Sequence, residues 1–330
     1  MTKRLFALIL TVQLVTVSFA SGKLDAPRKA QPDTLRVGVL AGPSGLGMAR
    51  LIDNPPTLGD GTVCTFEIIG SVDALLPKLV NGDLDMGILP PNVAAKLYNL
   101  NPTSVVATAI VGNGMVSVVT RDASVRDLGD LEGKTVSVAG QGATPEYVMK
   151  TLLDAAKVPP NSVTLDFSIP TPGIAAALVS DKIEYALLPE PFATVAVMNG
   201  NAGDRPVVRA LSIRESWKSY GFGEDFPMTL CVAAAGFARD YPELTKAFLD
   251  QYRQSIEWTV ENPSEAGPLA EKAGLGLKGA IAAKAIPSCN FTFVNAEEGK
   301  QSIESLLATF LAYAPASIGG KLPDEGFYFK

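Results

Sequence analysis

Two short glycine-bearing turns carry the residues best placed to hold a small molecule. Ser44, Gly45 and Leu46 follow the apolar run Thr34–Leu40 (TLRVGVL). Gly140, Gln141, Gly142, Ala143 and Thr144 follow a second apolar run at 134–139 (KTVSVA). A turn of this kind ahead of a helix leaves backbone N–H groups without intrahelical partners, and glycine lets a ligand come close to them. Two such helix starts lining one cleft favour an anionic or strongly accepting group. Asn92, in Pro90-Pro91-Asn92, either caps the next helix or points its amide at a ligand. Asn113, between Gly112 and Gly114, reads first as a turn residue. Glu190, at 188–192 (LPEPF), accepts ligand N–H groups, pairs with a cation, or is a first-turn helix glutamate favoured by the dipole. The glutamate and the N–H turns pull in opposite directions, which a zwitterion or an amino-heterocycle would reconcile. Phe192, Trp217, Tyr220 and Phe222, and more weakly Tyr147, are candidates for stacking on a planar ligand, although aromatic residues more often fill cores.

Other chemistries lack their residues. The chain has no histidine, which removes the commonest general base and metal ligand and with them any Ser-His-Asp or Cys-His mechanism. Cys64, Cys231 and Cys289 stand outside any CxxC pair and read as small buried apolar residues. An odd number leaves at least one free thiol in an exported monomer, and spacing does not decide whether Cys231 and Cys289 are bridged. Gly140-Gln141-Gly142 lacks the spacing and lysine of a phosphate-binding loop, and GPSGLG at 42–47 has no acidic ribose-binding residue after it. No metal and no cofactor is expected. With a net charge of −6 and no basic stripe, nucleic acid is not an expected partner.

The elements that must position these residues alternate. Apolar runs at Thr34–Leu40, 64–69, 85–89, 134–139, 163–168 and 184–188 read as strands, each followed by a segment of helical spacing. The helix after the first run is expected to be capped by Ser44. Residues 104–121 and 228–235 break the rhythm as long β-rich stretches, and the chain beyond 242 reads as mainly helical to about 311. At 330 residues, 47% hydrophobic and 19% charged, the chain has the composition of a globular protein of about two domains. Lys3 and Arg4, an uncharged stretch from Leu5 to Ala20, and the small residues Ser18 and Ala20 have the order of an export signal, and the stretch is too short to span a membrane. No cysteine stands near position 20 to carry a lipid. Export without an anchor points to a periplasm.

Four blocks carry a family resemblance: 36–51 (RVGVLAGPSGLGMARL), 81–99 (NGDLDMGILPPNVAAKLYN), 130–153 (DLEGKTVSVAGQGATPEYVMKTLL) and 185–194 (YALLPEPFAT). In order and spacing the chain resembles the type II periplasmic binding proteins of ABC importers, in the branch for nitrate, sulfonates, taurine and thiamine-precursor pyrimidines. The pairing of G-D-x-D-x-G with L-x-G-K-x-V is the most specific signal. The resemblance implies an α/β fold: a two-lobed clamp, each lobe a mixed, mostly parallel sheet flanked by helices, joined by two hinge strands. Residues 33–117 and 228–330 would form lobe I and residues 118–227 lobe II, after a signal peptide at 1–20. It implies a monomer that captures a small polar organic molecule or anion between its lobes and delivers it to a membrane permease and its ATPase. Ser44, Gly45, Leu46, Asn92, Asn113, Gln141, Gly142, Ala143, Thr144, Glu190 and Phe192 would touch the ligand. An enzyme on the same clamp, acting on a pyrimidine or menaquinone precursor, is the alternative, and a module signalling to a sensor is a third reading. The export signal and the missing histidines weigh against the enzyme.

Overall fold

The alternating apolar runs fold into two β-sheets with helices packed on them. The computed structural model describes residues 29–201 and 205–330, so the expected export signal at 1–20 lies outside the described residues. In chain order the elements are β1 (Thr34–Leu40), α1 (Ala49–Asp53), β2 (Thr57–Leu58), β3 (Thr62–Ile69), α2 (Val72–Val80), β4 (Met86–Leu89), α3 (Pro91–Leu100) and β5 (Val105–Asn113). There follow β6 (Val116–Thr120), β7 (Thr135–Val138), α4 (Thr144–Ala155), β8 (Thr164–Asp166), α5 (Thr171–Val179), β9 (Tyr185–Pro189), α6 (Phe192–Gly200), β10 (Val208–Ser212) and α7 (Ile213–Ser219). The chain closes with β11 (Pro227–Ala234), α8 (Ala235–Asp240), α9 (Pro242–Glu261), α10 (Pro263–Lys272), α11 (Gly279–Ala285), β12 (Phe291–Asn295) and α12 (Lys300–Tyr313).

The large sheet has the order β12-β5-β11-β4-β1-β3-β2 and the small sheet β10-β6-β9-β7-β8. Both are mixed, but less parallel than the βα rhythm implies. Among the described strands, β3-β1-β4 and β8-β7-β9 pair in parallel, while β2 pairs antiparallel with β3 and β5, β6, β10, β11 and β12 pair antiparallel with their neighbours. The long β-rich stretches are those antiparallel strands. Three strands escaped the sequence reading. β2 is two residues long, β10 (VRALS) carries an arginine that breaks its apolar pattern, and β12 (FTFVN) lies within a stretch that reads as mainly helical.

Side-chain alternation explains the layering. Leu35, Val37, Val39, Met86, Ile88, Ala109, Val111, Cys231 and Ala233 face a core shared with α9, where Phe248, Tyr252 and Ile256 are buried. Leu89, Ile110, Leu230 and Val232, and Ala107 beyond a bulge in β5, face a second core, which continues into the small sheet through Val118, Val136, Val138 and Leu187. α12 helps bridge the two sheets, because its Phe310 meets Tyr147 of α4 with ring centroids 4.8 Å apart. The opposite face of the small sheet has its own core, with Val119, Ala186 and Leu188 under α5 and α6. All three cysteines are free and buried, so the Cys231–Cys289 bridge left open by the sequence is not formed.

The chain passes from the large sheet to the small one between Asn113 and Val116, and returns between Ser219 and Pro227. Asp225 ties the two passages together. Its carboxylate accepts the Gly114 N–H at 2.9 Å and the Asn290 amide at 2.7 Å, and pairs with Arg214 Nε at 2.9 Å. The same Asn290 amide donates to the Gly114 carbonyl at 3.2 Å. Only glycine fits at 114, since a Cβ there would come within 2.7 Å of the Phe226 ring.

The two motif halves serve this scaffold at the N-terminal ends of the parallel strands. Asp85, just before β4, takes the Arg36 guanidinium at 2.7 and 3.0 Å and the Arg36 N–H at 2.8 Å, which clamps β1 to β4. In L-x-G-K-x-V, Gly133 holds φ at 75° and donates to the Ser162 carbonyl at 2.7 Å, a conformation that favours glycine. Lys134 lies over the Tyr185 ring, 4.9 Å from its centroid.

Candidate ligand-binding site

In open α/β sheets ligands bind beyond the C-terminal ends of the strands, so the loops after β1, β4, β7 and β9 are where a site is built. After β1 the chain enters a 3₁₀ turn, Pro43–Met48, and only then α1. Ser44 therefore lies inside the turn and does not cap it; Gly42 occupies the capping position, without a side-chain bond. Ser44 is half-buried, whereas Gly45 and Leu46 are buried. Packing accounts for both. A Cβ on Gly45 would come within 2.8 Å of Leu275, and Leu46 is fully enclosed in the core beneath α9.

After β4, Pro90 takes the capping position of α3, so Asn92 is not the cap. The residue is 8% exposed, and its side chain makes no hydrogen bond among the described residues. Asn113 donates its backbone N–H to the Asn290 carbonyl at 3.1 Å, while its Oδ1 is buried and unpartnered. It lines a cavity of about 610 Å³ beside the passage between the sheets, with Phe222, Asp225, Val294 and Ser302.

After β7, Gln141 and Gly142 are exposed and Ala143 caps α4, whose first residue, Thr144, is buried. The N–H groups here are not all free for a ligand. Gly142 donates to Glu146 Oε2 at 2.7 Å, and Lys150 holds Glu146 Oε1 at 2.5 Å. The α4 N-terminus thus carries its own carboxylate, a role signalled by an acidic residue three positions past the cap. Among the described residues no hydrogen bond joins this turn to the Ser44 turn. The aromatic candidates are mostly structural. Trp217 is fully buried against Phe222 and Phe226, with centroids 4.8 and 5.3 Å away, and Tyr147 packs on Phe310. Tyr220 is exposed at the end of α7, and Phe192, half-buried, begins α6.

After β9, Glu190 is 2% exposed. Its Oε1 accepts Arg209 Nη2 at 2.7 Å and Nε at 3.1 Å, and its Oε2 accepts the Thr194 N–H of α6 at 3.1 Å. Arg209 Nη2 also donates to Thr194 Oγ1 at 2.7 Å. The glutamate's charge is met inside the protein by an arginine that the sequence reading passed over along with β10. On the large-sheet side the Cys289 thiol is pushed up by burial and then by the Glu190 carboxylate, with Arg209 opposing. The Glu190 N–H donates to the Met115 carbonyl at 2.9 Å, which places the pair beside the passage between the two sheets.

Residues 70–266 match the family described as NMT1/THI5 like. The chain belongs to the NMT1/THI5-like family. Several solved structures similar to this NMT1/THI5-like chain are described as binding proteins or transporter components. A structure titled as an ABC transporter from Parabacteroides distasonis is 25% identical, covering 91% of this chain and 99% of its own, with a TM-score of 0.77. The periplasmic aliphatic sulphonate binding protein SsuA from Escherichia coli is 14% identical, covering 91% and 98%, with a TM-score of 0.69. The periplasmic nitrate-binding protein NrtA from Synechocystis PCC 6803 is 14% identical, covering 86% and 84%, with a TM-score of 0.57. The two-sheet fold is that of periplasmic binding proteins. Comparison with curated proteins gives no match.

Proposed function

We propose that the chain is the extracytoplasmic solute-binding component of an ABC importer. In this reading it holds a small polar organic molecule or anion between two lobes and passes it on unaltered to a membrane permease and its ATPase. Lobe I comprises residues 33–117 and 228–330, and lobe II residues 118–227, with the passages around Gly114 and Asp225 as the hinge. Ser44, Asn92, Gln141 and the Glu190–Arg209 pair border the ligand. The protein works as a monomer in the periplasm after losing residues 1–20; among the described residues no helix is long and apolar enough to cross a membrane.

The observation that carries this reading is the placing of polar groups at strand ends on both sides of a two-stranded passage. Asn92, largely buried and without a side-chain hydrogen bond among the described residues, lies just past the end of β4, and the buried Glu190 pairs with the partly exposed Arg209 at the end of β9. Two such α/β bodies on a short hinge close when a ligand binds the closed state better than the open one. Thermal unfolding against a panel of small sulfonates, carboxylates, nitrate and pyrimidines tests it. A binding protein is stabilised by one chemical group of the panel, with a midpoint that climbs with ligand concentration. A midpoint unmoved by every member would contradict the reading.

A further inference from the structure

The Glu190 carboxylate and the N–H-rich turns make opposite demands on a ligand, and Arg209 removes the contradiction. Glu190 is buried with both oxygens engaged, so the negative charge at the end of β9 is already neutralised. Arg209 is only partly consumed by this. The edge formed by Nε and Nη2 is held by Glu190 and Thr194, Nη1 makes no hydrogen bond among the described residues, and the side chain remains 32% exposed. A guanidinium held through Nε and Nη2 keeps the two protons of Nη1 for another acceptor, and a charge-assisted hydrogen bond from Nη1 favours an anionic oxygen. The Glu190 N–H donates to the Met115 carbonyl at 2.9 Å, so the pair stands beside the chain passage between the two sheets, where two closing lobes would meet.

We propose that Arg209 is the specificity-determining residue of the site, reading an anionic oxygen-bearing head group of the ligand, and that Glu190 is a positioning residue that holds the guanidinium by its inner edge. This rests on the solute-binding reading and narrows it, disfavouring the amino-heterocycles and cations that a free Glu190 would select.

The test pairs charge with shape. Binding of short alkanesulfonates and alkanecarboxylates is measured by calorimetry beside their neutral sulfonamide and carboxamide counterparts, with the wild type, Arg209→Gln, Arg209→Lys and Glu190→Gln. Circular dichroism confirms that each variant is folded. The wild type binds an anionic probe and discriminates against its neutral counterpart. Arg209→Gln loses roughly 10- to 100-fold for the anion, the scale of a charge-assisted contact, with little change for the neutral form. Arg209→Lys keeps part of the discrimination, and Glu190→Gln weakens it less than Arg209→Gln does. Preference of the wild type for the neutral probes, or an Arg209→Gln variant that retains full anion selectivity, overturns the assignment while leaving a binding protein. Failure of every probe to bind, with no small molecule co-purifying, overturns the solute-binding reading and the role of Arg209 with it.

Discussion

The Asp225 carboxylate accepts the Gly114 N–H at 2.9 Å, so the two chain passages between the sheets are bound to each other. Asn290, from the segment before β12, grips the same two residues. Removing the carboxylate leaves an N–H, an amide and the Arg214 guanidinium without their acceptor. Asp225→Ala is expected to lose about 1.5–3 kcal/mol of stability, the range for hydrogen bonds to a charged group. Urea unfolding measures this, and Asp225→Asn, which keeps one acceptor oxygen, should lose less.

Asp85 lies at the opposite end of the strands from the candidate site and clamps Arg36 with both oxygens. Asp85→Ala should cost about 1–3 kcal/mol in unfolding free energy while ligand affinity stays within a factor of about two, because the clamp supports β1 and β4 and touches no ligand. A large loss of affinity in a variant of unchanged stability would contradict the structural role given to the motif.

Asn92 presents the reverse case. Its amide has no partner to lose, so Asn92→Ala should change stability by less than about 1 kcal/mol. If the amide meets the ligand, affinity should fall by roughly 10-fold, the worth of one buried hydrogen bond. Paired unfolding and calorimetric measurements separate the two effects.

Burial pushes the thiols of Cys64 and Cys231 up to about 12. In the unfolded chain they titrate at the ordinary thiol value, so the folded state holds more protons between the two values. The associated stability is complete below the ordinary thiol range and is lost as the pH rises toward about 12. Alkaline unfolding should show this slope, and Cys64→Ala or Cys231→Ala should flatten it. All three cysteines are free and buried, so a thiol reagent should label none of them in the native protein at neutral pH and all three after unfolding. Fewer than three labelled after unfolding without reductant would reveal a bridge.

The fold was legible because its strongest sequence signals are scaffold signals. Asp85 in one motif, Gly133 and Lys134 in the other, hold strand starts in place and say nothing of a ligand. The helices after β4, β7 and β9 follow their apolar runs as the alternation implies, and a proline stands at or next to the first residue of each. The site was less legible for two physical reasons. Local sequence does not reveal that Gly45 is fixed by Leu275, or that Glu146 already serves the α4 N-terminus. The charge of Glu190 was read alone because its partner stands 19 positions away on a strand whose arginine disguised it. A lone arginine inside a short β-forming run between Pro206 and Ser212 was the one available signal.

Native mass spectrometry of freshly purified protein, followed by denaturation and mass analysis of what is released, bears most directly on the solute-binding function. The expected result is a one-to-one complex with a small molecule that leaves with its mass unchanged after prolonged incubation. Recovery of a chemically altered product, formed in proportion to incubation time, would show an enzyme in place of a carrier.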